Sequence, residues 1–228
     1  MSTVKEEITA NLRQVAAGLP SNVCLVAVSK TKPMAYIEWA YEAGQRVFGE
    51  NKALELRDKY MALPKDIQWH FIGHLQTNKI KYIAPFVSMI HSIDSLELLE
   101  AVDKQAQKHK RVIPCLLQFH IAAEETKFGL SLEEAEALLQ SDRFAALKHV
   151  RIDGVMGMAT FTDNREQVRG EFERLKQYFE ALKARYFATA DRFKEISMGM
   201  SEDYPLAIEA GSTLVRVGSK IFGARVYA

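Results

Sequence analysis

Apolar runs and amphipathic segments alternate along almost the whole of this 228-residue chain, and that alternation narrows the fold more than any other feature. Short branched runs predict strands near 23–28, 46–48, 68–72, 86–91, 112–119, 150–155, 193–197 and 213–217. Between them, helical spacing predicts helices over 33–43, 51–62, 76–84, 95–109, 131–140, 164–185 and 203–210. A strand–helix unit used about eight times, with no long linker or low-complexity tract, predicts one α/β domain over residues 1–228: a single (β/α)8 TIM barrel. A doubly wound open sheet satisfies the same spacing, because periodicity does not reveal closure.

An extra helix is expected before the first strand, where Val4, Ile8, Leu12, Val15 and Leu19 recur at helical spacing and Thr3 with Glu6 fits a capping box. Glu6 and Glu7 argue against a transit peptide, and no signal peptide or membrane span is evident, so a cytoplasmic protein is expected. The formal charge of +1 gives no bulk field for nucleic acid or a membrane surface. Any anion must then be held by local geometry. Cys24 and Cys115 each sit inside an apolar run and read as small buried hydrophobes of a reducing compartment.

Barrel sites lie at the C-terminal ends of the strands, so only a few positions compete for function. The first is in "VCLVAVSKTKP" (23–33), where a core-like strand ends on Ser29 and Lys30. Lysines at strand ends often reach solvent, as Lys32 is expected to do. Alternatively, Lys30 is a partly desolvated amine with a lowered pKa, able to form a Schiff base with an aldehyde. The other strand ends lead to Gly49-Glu50-Asn51, Gly73-His74, Ser92 and Asp94, Glu125 and Lys127, and Met156-Gly157-Met158.

The last two loops are glycine- and serine-rich. Gly199, Met200 and Ser201 follow the seventh strand, and Gly218 and Ser219 follow the eighth. Taken singly these are ordinary turns; together they occupy the two loops where barrels commonly bind phosphate. Arg216 stands among Leu214, Val215 and Val217 and must have a partner, either an ion pair such as Glu209 or a ligand heteroatom. In a closed barrel the first and last strands are neighbours, which would bring Lys30 near Arg216, Gly218 and Ser219. A compact ligand with both an aldehyde and a phosphate fits that layout, namely pyridoxal 5′-phosphate. His70, His74, His91 and His120 suggest a metal site instead, but four-residue spacing on a strand does not converge His70 and His74, and no metal ligand is assigned.

The stretches "LVAVSKTKP", "FGENKALEL", "WHFIGHLQTNK", "HSIDSLELLE", "TKFGL" and "SMGMSEDYPLAIEAGSTLVRVGSKIFGAR" resemble the pyridoxal phosphate homeostasis protein family, itself similar to the N-terminal barrel domain of alanine racemase. The resemblance runs from about residue 5 to 226. It implies a fold-type III barrel with Lys30 as the covalent lysine, Ser201, Gly218 and Ser219 (with Met200 adjoining) at the phosphate, Arg216 facing the pyridine nitrogen and Asn51 near the ring. Lys127 matches a Lys-x-Gly motif without an assigned role. Ser219 stands where many relatives have threonine, His120 where many have asparagine, and His74 where many have proline.

In the racemase relatives the second acid/base group is a tyrosine from a separate β domain of a partner subunit, whereas this sequence ends at Ala228. An arginine at the pyridine nitrogen also weakens the ring as an electron sink. The expectation is a carrier that holds pyridoxal 5′-phosphate reversibly, is monomeric, and delivers to PLP-dependent apo-enzymes, with no residue assigned a catalytic role. The alternative is a weak amino-acid racemase or another small PLP-dependent enzyme.

Overall fold

The computed structural model describes residues 3–123 and 128–224. Among them, eight parallel strands close in chain order: β1 (Cys24–Val28), β2 (Val47–Glu50), β3 (Gln68–Phe71), β4 (Met89–Ile93), β5 (Ile113–Phe119), β6 (Val150–Gly157), β7 (Glu195–Ser197) and β8 (Leu214–Val217). Closure sets Leu25 beside Val215 and Val26 beside Arg216. No edge is left between β8 and β1, so the open-sheet alternative falls.

Helices fill most connections: α1 (Val4–Ala17), α2 (Met34–Glu42), α3 (Ala53–Ala62), α4 (Leu96–Lys108), α5 (Leu132–Gln140), α6 (Asp142–Ala145), α7 (Arg165–Tyr186), α8 (Tyr204–Glu209) and α9 (Ser219–Phe222). The Thr3 hydroxyl accepts the Glu6 N–H while the Glu6 carboxylate accepts the Thr3 N–H, so the capping box forms. Behind it α1 buries Ile8, Leu12 and Val15 against α2 and α9. The helix expected over 76–84 is only a 3₁₀ turn, Thr77–Tyr82. Gln76 supplies no side-chain cap, and a tight connector already buries Ile80, Ile83 and Ala84.

Successive strand residues face opposite sides, so half of each strand points into the barrel. Val26, Leu116, Met156 and Leu214 make an apolar layer there. Toward the C-terminal ends the filling turns polar, with His70, His91, Gln118, Ser197 and Arg216 all buried. The polar layer floors the candidate site.

Candidate functional site

A cavity of about 500 Å³ opens at the C-terminal ends of the strands. Lys30, Asn51, Met200, Ser201, Arg216, Gly218 and Ser219 all line it. The barrel thus brings together the seven residues that the sequence assigned to cofactor binding. Lys127 and Glu125 lie outside the described residues.

Lys30 follows two residues after Val28, on the same side of the chain, and is half-buried in the cavity wall. Since Ala27 pairs with Val217, the continuations of β1 and β8 emerge side by side. A Cβ at Gly218 would stand 3.1 Å from the Val28 carbonyl oxygen, a contact tighter than most side chains make. Lys32, expected to reach solvent, is partly exposed. Its Nζ donates to the carbonyls of Gly223 at 2.9 Å and Ala224 at 2.8 Å, tying the first loop to the chain beyond α9.

Arg216 is 4% exposed, and its partner is not Glu209, which pairs with Arg169 at 2.8 Å. Glu209 lies on α8 outside the barrel, whereas strand parity turns Arg216 inward. There Nη1 donates to Ser197 Oγ at 2.5 Å and Nη2 to the Gly157 carbonyl at 3.0 Å. Burial lowers its pKa to about 10, opposed in part by the Asp203 charge, so it stays cationic at neutral pH. Among the described residues the cation is therefore held by neutral acceptors and lines the cavity with no carboxylate hydrogen-bonded to it.

A polar chain continues behind it. Ser197 Oγ lies 2.9 Å from His91 Nδ1, and His91 Nε2 lies 2.8 Å from His70 Nδ1, across the interior from β7 to β4 and β3. Burial keeps both imidazoles neutral, lowering His70 to about 4 and His91 well below its usual value. Arginine only donates, so Ser197 Oγ accepts from Arg216, and its second lone pair and its own proton let it meet His91 Nδ1 as acceptor or as donor. Between His91 Nε2 and His70 Nδ1 one nitrogen donates and the other accepts.

Opposite Lys30 in the chain's order, the loops after β7 and β8 are joined by the Gly218 N–H donating to Ser201 Oγ at 3.2 Å. Ser201 retains its hydroxyl proton as a donor. Gly199 has φ +94° and passes so near α8 that a Cβ would lie 2.6 Å from that of Ala207. Only glycine fits this turn without strain. The Asp203 carboxylate accepts the Met200 N–H at 2.5 Å, and burial raises its pKa.

On the wall formed after β2, Asn51 Oδ1 is buried with no hydrogen-bond partner among the described residues. Its backbone is set by contact with Gly73, where a Cβ would come within 2.4 Å of the Asn51 carbonyl oxygen. An orphaned amide oxygen at a cavity wall is a vacant contact for a ligand.

The sequence profile of the alanine racemase N-terminal domain family matches residues 5–226. The chain belongs to that family. A pyridoxal phosphate homeostasis protein of Aquifex aeolicus is 38% identical over 204 residues, covering 89% of this chain and 87% of the relative. One from Escherichia coli K12 is 36% identical over 235 residues, covering 100% and 96%. Among solved structures, PipY of Synechococcus elongatus with PLP bound superposes with a TM-score of 0.84 at 35% identity, covering 95% of this chain and all of that one. An alanine racemase from E. faecalis gives a TM-score of 0.74 at 16% identity, with 97% of this chain spanning 58% of that one, which shows a shared fold.

Within this alanine racemase N-terminal domain barrel, two groups escaped the sequence reading. One is the Ser197–His91–His70 chain, whose members come from three strands distant in sequence. The other is Lys59, 4% exposed, bonded to Glu50 and Glu55 at 2.7 Å each. Its signal was present: with Ala53 and Leu56 it falls on the three-residue spacing of the buried face of α3. His70 and His74 do not converge, for His70 is buried within β3 whereas His74, in the loop beyond it, lines the cavity, stacked 4.4 Å from Phe128. His120 is half-buried and is not among the described lining residues. Among the described residues no three His, Cys, Asp or Glu side chains are grouped to hold a metal ion.

Proposed function

We propose that this chain binds pyridoxal 5′-phosphate covalently through Lys30 and serves as a carrier in vitamin B6 homeostasis. The observation that carries the reading is the convergence of Lys30, Arg216, Ser201, Gly218 and Ser219 on one cavity. An amine, a buried cation and a glycine–serine cradle are the donor set that an aldehyde, a heteroaromatic ring and a phosphate need. When bound, pyridoxal 5′-phosphate supplies an aldehyde that condenses with a primary amine, forming a C=N bond and releasing the carbonyl oxygen as water.

Ser201, Ser219 and the adjoining backbone of Met200 and Gly218 are assigned to the phosphate, Asn51 to a polar ring substituent and Arg216 to the pyridine nitrogen. The orphaned Asn51 oxygen supports the fit, because its amide can present either oxygen or nitrogen to a ligand. Arg216 cannot accept a proton, so a ring nitrogen facing it stays unprotonated, which suits storage better than carbanion chemistry. The names of the curated relatives and the PLP-bound PipY structure support the same assignment. A cytoplasmic monomer that delivers to PLP-dependent apo-enzymes completes the reading.

Reconstitution with pyridoxal 5′-phosphate, borohydride reduction and peptide mapping test this directly. The expected result is a yellow protein labelled at Lys30, with label lost in Lys30→Ala. Labelling at another lysine overturns the assignment. The racemase alternative is tested by incubating the loaded protein with L- and D-alanine in deuterated water; stereospecific exchange at the α-carbon with sustained turnover would replace the carrier reading.

A further inference from the structure

Both peptide units that adjoin Lys30 are gripped by side chains of α3. Lys59 Nζ donates to the Ser29 carbonyl at 2.8 Å, and Glu55 Oε1 accepts the Thr31 N–H at 2.6 Å. The same Glu55 oxygen accepts Lys59 at 2.7 Å, and Lys59 spends its remaining N–H on Glu50 Oε1 at 2.7 Å. Glu50 Oε1 also accepts the Ser29 hydroxyl at 2.6 Å. All three ammonium protons of a nearly buried lysine are thereby used on one short stretch of backbone and its neighbours.

The held backbone is not a relaxed one. The Lys32 N–H donates to the Ser29 carbonyl at 3.0 Å, closing a turn with Lys30 and Thr31 at its centre, and Thr31 has φ +64°. That conformation suits glycine and is uncommon for a β-branched residue. Strained backbone persists where its surroundings over-determine it. Here the surroundings are Glu55 on one peptide plane and Lys59 on the other.

We infer that Glu55 and Lys59 are positioning residues for Lys30: by fixing the two peptide planes beside its Cα, they set the direction in which its side chain enters the cavity. The inference rests on the assignment of Lys30 as the attachment lysine, and it adds a device for pre-orienting that amine. A reacting amine must approach the carbonyl carbon along a narrow path, so loosening its base slows attachment even when the cavity is intact.

The test combines two measurements on the full chain. In the cofactor-free protein, amide hydrogen exchange at Thr31 reports the clamp; with pyridoxal 5′-phosphate added, borohydride quenching over time gives the rate of label at Lys30. Glu55→Ala is expected to speed exchange at Thr31 and slow attachment about tenfold or more. Glu55→Gln, which keeps an oxygen for the Thr31 N–H, is expected to stay near the wild-type rate. The paired change Glu50→Gln with Lys59→Met, which removes the buried cation together with a buried carboxylate, is expected to match Glu55→Ala. Leu182→Ala, in the packed face of α7, is the control for lost stability and is expected to melt lower while attaching at the wild-type rate. Wild-type attachment in Glu55→Ala, or equal slowing in Glu55→Gln, overturns the positioning role. Failure of the unaltered protein to label at Lys30 instead overturns the cofactor reading, and the role drawn from it falls with that reading.

Discussion

Arg216 donates to Ser197 Oγ at 2.5 Å inside the barrel, and Ser197 in turn meets His91 at 2.9 Å. One hydroxyl therefore joins the only-donating guanidinium to a neutral imidazole. Ser197→Ala removes the partner of an N–H of Arg216 and of a nitrogen of His91, both on buried side chains. Losing a buried partner in this way costs about 1–3 kcal/mol, more when the orphaned group is charged. The variant is expected to lower the denaturation midpoint accordingly, by about 2–4 °C for each kcal/mol in a chain of this size. A melt superimposable on the wild type would mean that the serine is dispensable to the network.

The histidine pair sets a pH dependence whose sign is fixed. Burial holds His70 at about 4 and His91 well below its usual value, while in the unfolded chain both titrate near 6.5. Below that value the unfolded state binds more protons than the folded one, so stability falls as the medium is acidified. It is full above about pH 6.5 and declines from there toward pH 4. Urea titrations at pH 7 and pH 5 are expected to show a lower midpoint at pH 5, with the difference reduced in His70→Gln. A midpoint that does not change between these conditions would contradict two buried neutral imidazoles.

The alternation of strands and helices was legible in the sequence because each element carries its own period and the loops are short. The site was legible for a related reason: barrel topology names the strand ends, and Lys30, Asn51, Arg216 and the glycine–serine turns all occupy them. What stayed hidden depends on contacts across the barrel. Nothing local to Ser197, His91 or His70 says that they meet, and the partner of Arg216 could not be read because Glu209 is near in sequence yet outside the wall. Lys59 was hidden differently, as an ordinary helix lysine whose buried spacing is overridden by the expectation that lysines face water. Closure itself, which decides barrel against open sheet, is a property of the β1–β8 register and of no single segment.

The two cysteines should be nearly silent toward thiol reagents in the native protein. Cys115 is fully buried in β5, and burial raises its thiol pKa far above the ordinary range; Cys24 is partly buried, and burial with the nearby Glu195 charge raises it too. The reactive form is the thiolate, which both environments disfavour. Dithionitrobenzoate is expected to react slowly with the folded protein and with both thiols once urea is added. Rapid native reaction at Cys115 would mean that β5 opens far more often than its packing implies.

Two glycines separate damage to the site from damage to the barrel. At Gly154, in β6, a Cβ would stand 1.8 Å from the Glu195 carbonyl oxygen, and φ is +157°. That oxygen belongs to the neighbouring strand β7, so the clash is with backbone and has no side chain to yield. Gly154→Ala is expected to lose at least about 3 kcal/mol by forcing two paired strands apart, the class of change that unfolds marginal domains. At Gly73 the intruding Cβ would meet Asn51 instead, at 2.4 Å from its carbonyl oxygen and 2.6 Å from its Cβ. That contact lies between two loops after β2 and β3, where the chain can shift without breaking the ladder. Gly73→Ala is therefore expected to keep a cooperative melt but move Asn51 off the cavity wall, weakening equilibrium binding of pyridoxal 5′-phosphate while Lys30 still labels at high concentration. Equal affinity in Gly73→Ala and the unaltered protein would remove Asn51 from the set of ligand contacts.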